Sequence, residues 1–188
     1  MSISLYDLSV PTFLQTLRAF SGILDRAAAH CESTGRNADE LVNARLYPDM
    51  APLHFNVEAL KNHSVWGIQT VMKGKFAPPP LAGAKTFGDL VAMVRQAIAD
   101  LEAVDTERLN AFSGKAQDIQ IFRPVDEVNA TTSSWAARTF PVTSETYLLT
   151  YSIPNFYFHT STAYGILRVQ GMPIGKFHYE GELRTRPP

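Results

Sequence analysis

The chain has 188 residues, 45% of them apolar, a formal net charge of −1 and one cysteine. That size and composition suit one globular domain around a single core. The balanced charge argues against a broad nucleic-acid face, the lone Cys31 excludes an internal disulfide, and no apolar run approaches the roughly 20 residues of a membrane span.

In chain order, Ser4 and Asp7 form a Ser-x-x-Asp helix start. Asp7 also interrupts the N-terminal apolar stretch, and no basic segment precedes it, so no leader is expected and the protein is expected to be cytoplasmic. Val10, Leu14, Leu17, Phe20, Leu24, Ala28 and Cys31 then recur at spacings of three and four, one face of a helix that Gly35 ends. Pro11 either sits in a first turn capped by Ser9 or kinks this helix. Cys31 closes an alanine-rich run and reads as a small packed residue.

A second helix is expected from about Pro48–Asp49, with Leu53, Val57, Leu60, Ser64, Ile68 and Val71 as its stripe. Gly74 and the run Pro78–Pro79–Pro80 stop it. A third spans about Thr86 to Val104 on the stripe Phe87, Leu90, Val94, Ala97, Ile98 and Leu101, with Asp89 at its electropositive end. Residues 105–142 lack helical periodicity. Ile119, Ile121 and Val125, and the stretch from Ala136 to Val142, hint at alternation, so a long irregular connection with room for a loose hairpin is expected. The fourth helix runs from about Ser144 to Gln170, capped near Gly171, and Pro154 predicts a kink or split within it. The charged segment from Gly175, ending in Pro187–Pro188, reads as an extended or disordered tail. The expected architecture is therefore all-α, a four-helix bundle in one domain (1–176) with a C-terminal tail (177–188).

The fourth helix carries the chemistry. Among its apolar and aromatic residues, Ser152, Asn155, His159 and Thr162 follow at spacings of three, four and three, and so share one face. Buried polar groups need partners, because an unpaired one costs roughly 1–3 kcal/mol. They form either a hydrogen-bond network that fixes packing or a ligand pocket. Asn155 and His159, at i and i+4, can converge on one ligand, but an amide oxygen binds zinc or nickel weakly. On the second helix His54 and His63 are nine residues apart, about 180° around the axis. Either can face the fourth helix, but not both, and His63 shares an edge with Asn56.

The segment from Pro154 to Arg168, followed by Gly171-Met172-Pro173-Ile174-Gly175-Lys176, resembles a bacterial family of unknown function within the DinB-like (YfiT-like) superfamily of metalloenzymes. Ser4 to Phe13 and Asn43 to Met50 with Pro52-Leu53 are similar to it as well. The resemblance implies a four-helix bundle, often dimeric. It implies a divalent metal, zinc or nickel, held by one second-helix histidine and a His-x-x-x-His pair on the fourth helix. The activities it implies are thiol transfer and metal-dependent hydrolysis. In that pattern the second histidine of the pair lies about twelve residues before a helix-ending glycine. His159 lies twelve before Gly171, so it corresponds to that histidine, and Asn155 stands at the first. His54, His63 or Asn56 corresponds to the second-helix ligand.

With one ligand replaced, the expectation is a site that has lost its metal and kept a small-molecule pocket of Asn155, His159, Ser152, Thr162 and Asn56, without catalysis. One alternative is a metal-dependent transferase or hydrolase using His159 with His63 or His54. Another is a dimeric structural protein. A homodimer is expected, with no nucleic-acid or membrane partner.

Overall fold

The computed structural model describes residues 3–78, 86–125 and 134–185. The chain is mainly helical, with one two-stranded antiparallel ribbon. Helix α1 (Leu5–Thr34) starts on the expected cap: the Ser4 hydroxyl accepts the Asp7 N–H at 3.1 Å, and the Asp7 carboxylate accepts the Ser4 N–H at 3.4 Å. It ends at Gly35, whose φ of 68° lets the last carbonyls be closed from beyond the helix. Pro11 lies inside α1 rather than in a capped first turn. The buried face is wider than the predicted stripe, because Phe13, Ile23 and Ala27 join it while Ala28 is only partly buried. Cys31 is buried, as expected.

After a 3-10 turn (Ala38–Leu41), α2 (Leu53–Lys61) begins behind Pro52, several residues later than the sequence suggests. The backbone stays helical through a wider π-turn (Asn62–Trp66) into α3 (Gly67–Lys73), which Gly74 closes at φ 71°. Of the proline run that follows, Pro79 and Pro80 lie outside the described residues, as do Pro187 and Pro188. Helix α4 (Phe87–Glu102) carries a capping box of Thr86 and Asp89, and the Asp39 carboxylate accepts the Phe87 N–H at 2.7 Å. Two exposed ion pairs, Arg18–Glu102 and Arg95–Asp25, bridge α1 and α4, where solvent leaves them little weight.

Among its described residues, the connection before the last long helix is more regular than the irregular stretch expected, and the hairpin for which the sequence left room is present. It holds α5 (Thr106–Asn110) and strands β1 (Ala116–Pro124) and β2 (Trp135–Thr143), paired from Ala116↔Thr143 to Pro124↔Trp135. Ile119 and Ile121 point into the core on alternate positions of β1. The Gln117 amide N–H₂ donates to the Val71 carbonyl and to the Ser144 hydroxyl, both at 2.9 Å, and so pins the ribbon to the helices.

The last long segment runs as α6 (Ser144–Tyr147), a second π-turn (Leu148–Ser152) and α7 (Ile153–Val169). Pro154 lies in the first turn of α7, one residue beyond this π-turn. Its lack of an N–H is absorbed by a change of winding, with the Ile153 N–H reaching the Leu148 carbonyl. The segment expected to be an extended tail contains α8 (Lys176–Glu180) instead, packed on α1, where the Gln15 side-chain amide donates to the Glu180 carbonyl at 3.2 Å. Helix α1 packs against α4 and α7, and α2 packs against the same two. Among the described residues no helix is long and apolar enough to cross a membrane.

Candidate functional site

The two π-turns meet. The Ser152 hydroxyl, buried at the end of one, donates to the His63 carbonyl in the other. This approach requires a glycine at 67, because a Cβ there would lie 3.3 Å from Ser152 Cβ and well inside contact distance of Ser152 Oγ. A π-turn places one extra residue in the helix and shifts the side chains beyond it. Here it turns His63 toward α7 and Tyr151 toward α2.

His159 sits about two turns further along α7. Its Nδ1 lies 3.0 Å from Asn56 Oδ1. The Asn56 amide nitrogen donates to the carbonyls of Ala51 and Pro52, at 3.0 and 2.9 Å. With both N–H groups committed there, the remaining oxygen can only accept. The proton of neutral His159 is therefore on Nδ1, and Nε2 presents a bare lone pair. One buried amide thus fixes both the entry of α2 and the tautomer of a histidine on α7.

His63 lies beside it. The two imidazole planes are 8° from parallel with centroids 5.6 Å apart. Phe76 lies nearly parallel to the His63 ring (11°, 5.4 Å), and Tyr151 meets it edge-on at 5.4 Å. Phe55 and Phe158 flank His159. His63 Nδ1 is buried with no hydrogen-bond partner. An orphan lone pair is more tolerable than an orphan N–H, so neutral His63 carries its proton on Nε2.

Burial pushes the His159 imidazole down to about 4. Burial, and secondarily the neighbouring His159, push His63 down to about 3. Both rings are uncharged at neutral pH. Each folded value lies below the ordinary unfolded value of about 6.5, so the unfolded chain binds more protons in acid. The stability these rings contribute is therefore present above about pH 6.5 and is lost as pH falls toward 3–4. The slope reaches at most about 1.4 kcal/mol per pH unit for each ring. Urea unfolding followed from neutral to mildly acid pH is expected to show this decline, and His63→Phe, which keeps a flat ring, is expected to roughly halve it. An unchanged slope in that variant would contradict the assignment.

Among the described residues, Ser152 and His159 are the members of the polar stripe that bond beyond their own helix. The Asn155 amide donates to the Tyr151 carbonyl at 2.7 Å, and the Thr162 hydroxyl donates to the Phe158 carbonyl at 2.8 Å. Of the two second-helix histidines, His63 is the one that reaches α7. His54 is half-buried elsewhere, held low by burial, with Glu58 raising and Arg45 lowering its value. Phe76 and Gly67 carry no signal in the sequence that points to the site.

Zinc or nickel fits these residues poorly. Among the described residues no group of three or more His, Cys, Asp or Glu side chains is placed to hold an ion. Two neutral imidazoles without a carboxylate or thiolate fall short of the usual transition-metal donor set.

A family model described as a domain of unknown function (DUF1993) matches residues 5–180. A crystal structure of a DinB family member protein from Shewanella denitrificans is similar to this chain at 27% identity and a TM-score of 0.74, covering 98% of this chain and 96% of that one. No curated protein matches the chain.

Proposed function

Since the chain belongs to the DUF1993 family, we propose that it is a four-helix-bundle binding protein that takes a small neutral molecule at the His63–His159 pair and performs no catalysis there. In this reading α1, the α2–α3 segment, α4 and the α6–α7 segment are the bundle's four members, and the pair occupies the place where the family resemblance puts a metal. The observation that carries it is the fully committed Asn56 amide, which leaves His159 Nε2 as an acceptor in an uncharged, aromatic-walled setting. Beside it the His63 Nε2–H is a donor. One acceptor and one donor, both neutral, match a ligand group that itself donates and accepts, such as a primary amide or an alcohol. Among the described residues no charged side chain bonds to either ring, so an ion of either sign is costly to desolvate there.

Titration of the metal-free protein with benzamide, benzoate and benzylammonium, followed through the histidine side-chain nitrogens, tests the proposal. Benzamide is expected to shift the His159 and His63 signals saturably, and His159→Phe to abolish the effect. Shifts from the charged probes alone, or stoichiometric zinc that survives chelation and disappears in His159→Phe, would overturn it. The second outcome would favour a metal-dependent transferase or hydrolase. A histidine oriented through Nδ1–H to an amide oxygen is also how metal-binding imidazoles are held.

A further inference from the structure

A second compartment lies beneath the ribbon. Ile119, Ile121 and Arg123 alternate along β1, so they share the face that looks at the helices. Ile121 and Arg123, with Phe140 and Val142 of β2 and the rings of Tyr147 and Tyr151, line a half-open cavity of about 80 Å3. At about 30 Å3 per water that is room for about three waters, or for a compact body of a few carbons.

Its polar equipment is uneven. The Arg123 guanidinium sits over the Tyr151 ring, 5.9 Å from the centroid. Among the described residues it has no carboxylate within ion-pair distance, and the acidic side chains that do pair serve Arg18, Arg36 and Arg95. A guanidinium lying over an aromatic face keeps the edge of its N–H fork free for a planar partner. Tyr151 supplies no negative charge: burial holds its hydroxyl up at about 12 despite the pull of Arg123. Tyr147 is fully buried, and burial raises its hydroxyl further still, against a smaller opposing pull from the Thr70 side chain. Thr150 also lines the cavity, its hydroxyl donating to the Thr146 carbonyl at 2.6 Å, and Ile121, Phe140 and Val142 supply the apolar wall.

We propose that this cavity is a second binding site, separate from the histidine pair, for a short-chain monocarboxylate. The carboxylate lies in the Arg123 fork, and its few carbons sit between Ile121, Phe140 and Val142. A single guanidinium matches one carboxylate bidentately. A phosphate dianion would leave a charge uncompensated against the apolar wall.

The test is titration of the full chain with butyrate, butyramide and inorganic phosphate, read on the methyl signals of Ile121 and Val142. Butyrate is expected to shift them saturably, and butyramide to bind at least tenfold more weakly. Arg123→Gln, at an exposed position, is expected to weaken butyrate at least tenfold, and Val142→Phe to block it by filling the cavity. Equal binding of butyramide, equal competition by phosphate, unchanged affinity in Arg123→Gln, or no butyrate response at millimolar concentration would each overturn the proposal. Loss of the benzamide response at His159 would leave it standing, because the two sites are read on different nuclei.

Discussion

Asn56→Ala is expected to lower the unfolding free energy by about 2–3 kcal/mol. The side chain is buried and makes three hydrogen bonds. Removing it orphans the Ala51 carbonyl, takes one of two donors from the Pro52 carbonyl, which keeps the backbone N–H of residue 56 at 3.2 Å, and leaves the His159 Nδ1–H without an acceptor. Each stranded group costs about 1 kcal/mol or more unless water reaches it. Denaturant unfolding at neutral pH gives the magnitude. The tautomer is the more specific readout: without Asn56 nothing holds the proton on Nδ1, so the Nε2–H form is expected to appear. A loss below about 1 kcal/mol with the tautomer unchanged would show that the amide does not organise the site.

Gly67→Ala is expected to be comparably severe, about 3 kcal/mol, for a steric reason. The new methyl would meet Ser152 where the two π-turns touch. Neither side yields easily, because Ser152 is buried and held by the His63 carbonyl. The partner substitution separates this from a simple loss of helix propensity, since alanine is the better helix former. Ser152→Ala alone is expected to cost about 1 kcal/mol for the lost hydrogen bond. In the Gly67→Ala background it is expected to recover part of the loss, because the hydroxyl is the nearest obstacle. A cycle in which the two costs add without coupling would rule out the contact. Since the contact sets how far α7 stands from α2, Gly67→Ala is also expected to disturb the spacing of His63 and His159.

The two best-marked helices, α1 and α4, were legible because each begins with a capping box and carries an unbroken apolar period. The start of α2 was not, because Pro48–Asp49 imitates a helix entry while the chain between Asn37 and Pro52 is wound in short turns before Pro52 opens the helix. The ribbon was half visible. Ile119 and Ile121 alternate, but most of β2 is exposed and so carries little apolar pattern.

At the site, the face shared by Ser152, Asn155, His159 and Thr162 was readable, and so was the edge shared by Asn56 and His63. What could not be read is which polar groups find partners nearby. Asn155 and Thr162 return to carbonyls of their own helix, a local option open to any short polar side chain. Spacing alone could not choose between His54 and His63, because the π-turn that presents His63 breaks the regular period. Phe76 follows Gly74 in a stretch with no periodicity, and its place beside His63 is a purely tertiary fact.

The direct test of the account is a pH titration of the imidazole nitrogens by long-range proton–nitrogen correlation on the wild-type protein. His159 is expected to show a protonated Nδ1 and a bare Nε2 at neutral pH, His63 the opposite arrangement, and neither ring is expected to take up a second proton until the pH approaches about 4. A His159 carrying its proton on Nε2, or either ring titrating near the ordinary value of about 6.5, would contradict a buried, neutral donor–acceptor pair set by Asn56.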